Sequence, residues 1–95
     1  MKLFLVHCGY YDPSLCDGAF ESHINVFVAA KTFEDAKIKA KQHEMFHNLK
    51  MHVDGLQEVT AVDGFKIFLQ ETAQLEGKSI ITTNRHRDLA PKKPV

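Results

Sequence analysis

Two stretches of sequence decide the fold: residues 2–8 read KLFLVHC and residues 21–30 read ESHINVFVAA. In the first stretch apolar side chains occupy both alternating positions, which is typical of a strand in the middle of a sheet. In the second, polar residues crowd the start and the later half is apolar on both faces. We predict two neighbouring β-strands joined by a loop over residues 9–20, where two glycines, a proline and two aspartates disfavour regular structure.

A helix is predicted directly after the second strand. Thr32 is suited to cap its first turn, and acidic residues follow where the positive end of the helix dipole favours them. Phe33, Ala36 and Ala40 recur at helical spacing, which indicates a face packed on the sheet. We expect the helix to reach at least Gln42.

A repeated tripeptide marks the next part of the chain. Val53-Asp54-Gly55 recurs as Val62-Asp63-Gly64, and Asp-Gly between alternating apolar residues is a strong hairpin signal. The pattern predicts a C-terminal meander of short strands at about 49–53, 57–62 and 65–69, with a further strand possible at 78–83. The predicted fold class is α+β, in the order β-β-α-β-β-β, with one main helix packed on a mainly antiparallel sheet.

The 95 residues suffice for one domain, predicted at residues 1–83 and followed by a loose basic C-terminal tail at 84–95. Residues 1–77 carry a net charge of −4 and residues 78–95 a net charge of +4, so the whole chain is neutral. This balance argues against nucleic acid as the general partner, although RNA binding through the basic tail stays an alternative. No apolar run approaches the ~20 residues of a membrane helix, so we expect a cytoplasmic protein without a membrane partner.

Four short segments follow one another in a distinctive order: Leu5–Gly9 (LVHCG), Glu21-x-His23 with Phe27, His52–Gly55 (HVDG) and Val62–Phe65 (VDGF). Over roughly residues 2–69, they resemble a family of small uncharacterised bacterial proteins catalogued as domain of unknown function fifteen-forty-three. Asn25 and the loop at 9–20 depart from the pattern of that family. The resemblance implies one or two copies of the domain in a chain and implies no known reaction.

The predicted topology brings several polar side chains to one end of the sheet. If the first two strands are antiparallel neighbours, Cys8 at the end of one lies near Glu21 and His23 at the start of the other. The third strand begins at the same end and brings His52. A set of thiol, carboxylate and imidazole groups is what metal binding or proton transfer near neutral pH requires. We therefore predict a ligand-binding site at Cys8, Glu21, His23 and His52.

Each of these residues also has a structural interpretation. Cys8 is suited to a buried position as a small hydrophobe. Glu21 and His23 are suited to bracing the 9–20 loop through hydrogen bonds, and His52 and Asp54 to setting the first Asp-Gly hairpin. The sequence leaves both interpretations open.

Residues 43–47 match the H-E-x-x-H pattern of zinc peptidases. On a helix, His43 and His47 share one face and can bind one zinc ion, with Glu44 beside them as a base. No clear third ligand follows in the sequence, and the motif falls where the helix is expected to end. The pattern predicts a metal site at His43 and His47 only as an alternative.

We predict that the chain is a non-enzymatic binding or assembly module that works without a cofactor and forms a homodimer, since a small sheet has strand edges that self-pairing covers. The first alternative is a small metal-dependent hydrolase that uses zinc at residues 43–47. The second is RNA binding through the tail.

Overall fold

A computed structural model describes residues 1–43 and 50–91 of the chain. It confirms the predicted α+β class and the element order β-β-α-β-β-β. The elements are β1 (Lys2–Tyr11), β2 (Glu21–Ala30), α1 (Phe33–Lys41), β3 (His52–Val59), β4 (Ala61–Val62) and β5 (Phe65–Lys66). Short 3-10 turns lie at Cys16–Gly18, Ala73–Leu75 and His86–Leu89.

The first three strands form one antiparallel sheet in the order β2-β1-β3. The strand that is apolar on both faces, β1, is the central one, as the sequence predicts. Its register with β2 pairs Lys2 with Ala30 and Tyr11 with Glu21. The strand thus runs three residues further than predicted, and the connection to β2 is the shorter segment 12–20.

The core lies on one side of this sheet, under α1. Phe4, Val6 and Cys8 of β1 are fully buried there, and Ala36 and Ala40 of the helix pack against them. Thr32 caps the helix as predicted, because its Oγ1 accepts a hydrogen bond from the Asp35 amide (3.1 Å). Phe33 was predicted to be buried but lies at the rim of the core, where its ring meets the ring of Phe4 edge-on at 5.7 Å. The other side of the sheet, named here the open face, carries no α-helix from the described residues 1–43 and 50–91.

The first predicted hairpin, at Asp54-Gly55, is wrong. β3 runs through these residues without turning, and its register with β1 shifts between His7 and Cys8. His7 pairs with Gly55 and Cys8 with Val53, so Asp54 is the extra residue of a β-bulge. Continuous pairing with β1 on both sides of the bulge satisfies more backbone groups than a short separate hairpin does.

The second predicted hairpin, at Asp63-Gly64, is confirmed. Both residues have positive φ (52° and 85°), the conformation that a two-residue turn of this kind requires and that glycine adopts at little cost. The strands are shorter than predicted, and residues 78–83 form no strand within the described part of the chain. No helix among the described residues is long and apolar enough to cross a membrane.

Candidate functional site

The candidate site lies on the open face, above the end of β1. Gly9 stands at its centre, because the register pairs Gly9 with His23 on β2 and with His52 on β3. Paired residues of antiparallel strands point to the same side of the sheet, so both imidazoles project over the glycine. Glu21 and Asp54 lie two residues away from His23 and His52 on the same strands and therefore join them.

These four side chains, Glu21, His23, His52 and Asp54, form the cluster discussed below. The His52 Nε2 atom lies 2.8 Å from Glu21 Oε1 and 3.0 Å from Asp54 Oδ1. The His23 Nε2 atom lies 3.5 Å from Glu21 Oε1 and 3.2 Å from Asp54 Oδ2. Each imidazole thus faces both carboxylates through the same ring nitrogen.

The cluster has fewer hydrogen-bond donors than it has contacts between imidazole and carboxylate groups. A ring nitrogen carries at most one hydrogen, so each imidazole has a single N–H to share between two carboxylates. Four contacts are therefore served by two donors at most. A cation between the four atoms would contact all of them at once, which the N–H groups do not achieve.

Gly9 lets the donor atoms of the cluster approach the backbone of β1 closely. A Cβ atom at this position would lie 2.6 Å from Asp54 Oδ2 and 2.8 Å from His52 Nε2, and it would also collide with Glu21 Oε1. Contacts below 3.0 Å force the side chains apart. Gly9 lies beneath the cluster, and because it has no side chain the donor atoms can converge above it.

His7 adds an orienting contact beside the cluster. Its Nδ1–H donates to Asn25 Oδ1 at 2.8 Å, which leaves Nε2 with a free lone pair. The His7 ring stacks on the His23 ring with a centroid distance of 4.8 Å and an interplanar angle of 8°. The side chains of the cluster are 31–49% exposed, so water and small ions reach them. Two overlapping sets of donor atoms lie close enough to hold a metal ion: His7, His23 and Asp54, and Glu21, His52 and Asp54.

Of the four residues predicted as a site, the structure brings Glu21, His23 and His52 together and leaves Cys8 apart. Cys8 is fully buried in the core on the opposite side of the sheet, because neighbouring residues of a strand point to opposite faces. Burial raises the pKa of the Cys8 thiol, and the negative charge of Asp54 raises it further. A thiol held in its protonated form is a poor metal ligand, so Cys8 is not part of the cluster.

The H-E-x-x-H prediction falls mostly outside the described residues. His43 follows the end of α1, whereas Glu44 and His47 lie in the segment 44–49. A concavity between β2 and α1 near that end is lined, among the described residues, by side chains such as Ala30, Asp35 and Ile38.

Sequence reasoning missed Asp54 and Gly9 as members of the site. Asp54 was assigned to a turn, yet its spacing of two from His52 places both on one face of a continuous strand. A glycine inside an apolar strand, as at position 9, often marks a close approach of other groups. These two signals together point to the site.

The sequence model of the family described as Domain of Unknown Function (DUF1543) matches residues 19–69, which is 51 of the 95 residues. The chain belongs to this family. The matched segment of the DUF1543 family holds the whole cluster, whereas β1 with His7 and Gly9 precedes it. No curated protein and no solved structure matches the chain.

Proposed function

We propose that this protein is a binding module for a divalent transition-metal ion, held by Glu21, His23, His52 and Asp54 above Gly9. The observation that carries the proposal is the convergence of two imidazole nitrogens and two carboxylates over a position where a Cβ would collide with three of them.

The spacing of the donor atoms fits a small metal ion. Zinc binds histidine nitrogen and carboxylate oxygen at about 2.0–2.2 Å, and the ligand atoms of a tetrahedral site then lie roughly 3.4 Å apart. The four nitrogen–oxygen distances in the cluster run from 2.8 to 3.5 Å. The ligand atoms of Glu21, His52 and Asp54 already lie within 4.8 Å of one another, and the exposed His23 side chain has to move to join them around one ion.

The chemistry of the donors narrows the choice of metal. Imidazole with carboxylate suits zinc, iron, nickel and manganese, whereas the absence of thiolate from the cluster disfavours copper(I). Calcium and magnesium favour all-oxygen shells. Two carboxylates also balance the charge of a divalent cation. The expected ligand is therefore a divalent ion of the first transition row, with zinc and cobalt(II) as practical probes.

The alternative for the same side chains is a set of ion pairs that braces the sheet. Ion pairs with this degree of exposure contribute about 0–1 kcal/mol each. Bracing needs only paired charges, whereas metal binding needs donor atoms of several residues close to one point, as Glu21, His52 and Asp54 provide.

Metal titration of the protein tests the proposal. Isothermal titration with zinc, and the visible absorption of cobalt(II), should show one ion bound per chain. His52→Ala and Glu21→Gln should weaken binding at least about tenfold to a hundredfold, since even indirect changes around a metal have that effect. His86→Ala, which removes an exposed histidine outside the cluster, is the matched control and should bind as wild type does.

His47→Ala separates the cluster from the H-E-x-x-H segment. Under the proposal this variant retains the ion. If His47→Ala loses the ion and His52→Ala retains it, the metal site lies at residues 43–47 and not at the cluster. Absence of binding to wild-type protein would reject metal binding altogether.

A further inference from the structure

Residues 60–91, named here the arm, extend from the end of β3 without a core of their own. No residue of the arm is buried, and only Ile67 and Thr72 are half-buried. Large apolar side chains stand exposed along it: Phe65 at 75%, Phe68 at 80%, Ile80 at 74% and Ile81 at 60%. Exposed apolar side chains in such a series indicate a surface that meets a partner.

The dimensions of the molecule agree with this description. The radius of gyration is 16.6 Å. A compact chain of 95 residues would have about 12 Å. The principal packing among the described elements joins β1, β2, β3 and α1, and the β4–β5 hairpin packs mainly on itself. The arm therefore extends away from the body of the domain.

A second apolar surface lies uncovered on the open face of the sheet, at the end opposite to the cluster. Leu5 of β1 is paired with Phe27 of β2, and Leu3 is paired with Val59 of β3. These side chains alternate with the buried ones and so point away from α1. Phe27 is 48% exposed, and Leu3, Leu5 and Val59 are half-buried. They form the apolar half of the open face.

The large apolar side chains of the arm do not pack on the sheet of their own chain, since they are 60–80% exposed. β3 ends at Val59 and β4 begins at Ala61, so a single residue joins them. The Ile67 amide donates to the Thr60 carbonyl at 2.9 Å and fixes the hairpin at this junction. Phe65 and Phe68 beyond this junction are 75% and 80% exposed, so they do not cover Leu3 and Leu5.

From these two surfaces we infer that the arm of one copy covers the apolar half of the open face of a second copy, and that the second arm does the same in return. Such a reciprocal exchange is a closed twofold arrangement, the commonest symmetry of soluble oligomers. One contact then covers both the apolar side chains of the arm and the apolar half of the open face, and no other protein is needed.

The available area is sufficient for a stable dimer. A large apolar side chain buries up to roughly 150–250 Å², so four mostly exposed ones offer on the order of 500 Å² per arm. Phe27 is 48% exposed and its neighbours are half-buried, so each face offers roughly 250 Å², and two arms with two faces remove at most about 1,500 Å² from water, a value within the range of specific interfaces. The contact lies beyond the metal cluster, so it is independent of the proposed function.

Sedimentation velocity of the full chain tests the association. Wild-type protein should have twice the mass of the 10.8 kDa chain. The double variant Phe65→Ser with Phe68→Ser, and separately Phe27→Ser, should raise the dissociation constant at least about a hundredfold, as truncation of buried aromatic anchors does. Ile38→Ser is the matched control, because Ile38 is 55% exposed on the other side of the sheet. It should remain dimeric.

Cross-linking between labelled copies tests the contact without depending on how a variant folds. A photoreactive benzoylphenylalanine replaces Phe68, and protein labelled with ¹⁵N is mixed with unlabelled protein before irradiation. Cross-links should join the arm of a labelled copy to peptides of an unlabelled copy that contain Leu5 or Phe27, and the reverse. A monomeric wild-type protein, cross-links within one isotope only, or a partner peptide outside the open face would each overturn the inference.

Discussion

Replacing Gly9 with alanine should abolish metal binding while leaving the fold intact. The new methyl group would stand 2.6 Å from Asp54 Oδ2 and 2.8 Å from His52 Nε2 and would collide with Glu21 Oε1. These atoms are the ends of exposed side chains, which rotate away at little cost to the backbone. The donors can then no longer converge on one point.

The effect of Gly9→Ala on stability should be small, whereas its effect on metal affinity should be large. Alanine inside a strand is favoured over glycine by about 0.5–1 kcal/mol. Loss of exposed ion pairs costs about 0–1 kcal/mol each. With four such pairs partly offset by the gain from alanine, the free energy of unfolding of the metal-free variant should lie within about 2 kcal/mol of wild type. Displacement of ligands should weaken metal affinity by at least about a hundredfold, since changes around a metal already cost 10–100-fold.

Thermal unfolding with and without zinc measures both quantities. A ligand at a hundred times its dissociation constant stabilises the folded state by about 2.7 kcal/mol, so wild type should gain stability with zinc and Gly9→Ala should not. Gly55→Ala is the matched control, because it lies on the same sheet with no atom within 4 Å of the added Cβ. Retention of the zinc-dependent gain by Gly9→Ala, or unfolding of this variant in the absence of metal, would contradict the role proposed for Gly9.

Four further results are expected. In chemical denaturation, Glu21→Gln and His23→Gln should leave the free energy of unfolding of the metal-free protein within about 1 kcal/mol of wild type, and both should remove the bound ion. A larger loss of stability in both variants, with no change in the bound metal, would show that Glu21 and His23 are a structural pair. Under native conditions a thiol reagent should modify the exposed Cys16 and not the buried Cys8. Because the pKa of Cys8 is raised on folding above its ordinary value of 9.0, stability should fall as the pH rises past 9, whereas Cys8→Ser should flatten that slope in urea titrations. Deletion of residues 84–95 should move the melting midpoint by only a few degrees, since residues 84–91 are all exposed; a large drop would show that the tail packs on the domain.

The sequence was sufficient for the elements whose signals are local. The central position of β1 follows from apolar residues at both alternating positions, and the start of α1 follows from the Thr32 cap. The Asp63-Gly64 turn follows from the backbone conformation that these residues favour. Each of these features depends on neighbours within a few residues, so single-sequence reasoning reaches them.

The same reasoning also found part of the site. Glu21, His23 and His52 were expected to meet because antiparallel pairing joins the end of one strand to the start of the next, and the structure places them together. Cys8 was included because it lies at the end of the first predicted strand. Side chains alternate between the two faces of a strand, however, so Cys8 points to the buried face of β1.

Only the tertiary structure decided what Asp54-Gly55 does. The same dipeptide that turns the chain at residues 63–64 passes straight through at 54–55, because β1 is available there to pair with the residues on both sides. Local propensity cannot report the presence of a partner strand that is distant in sequence. The resulting bulge carries Asp54 into the cluster and sets Gly55 opposite His7, so the pairing that overrides the turn also completes the four-residue site above Gly9.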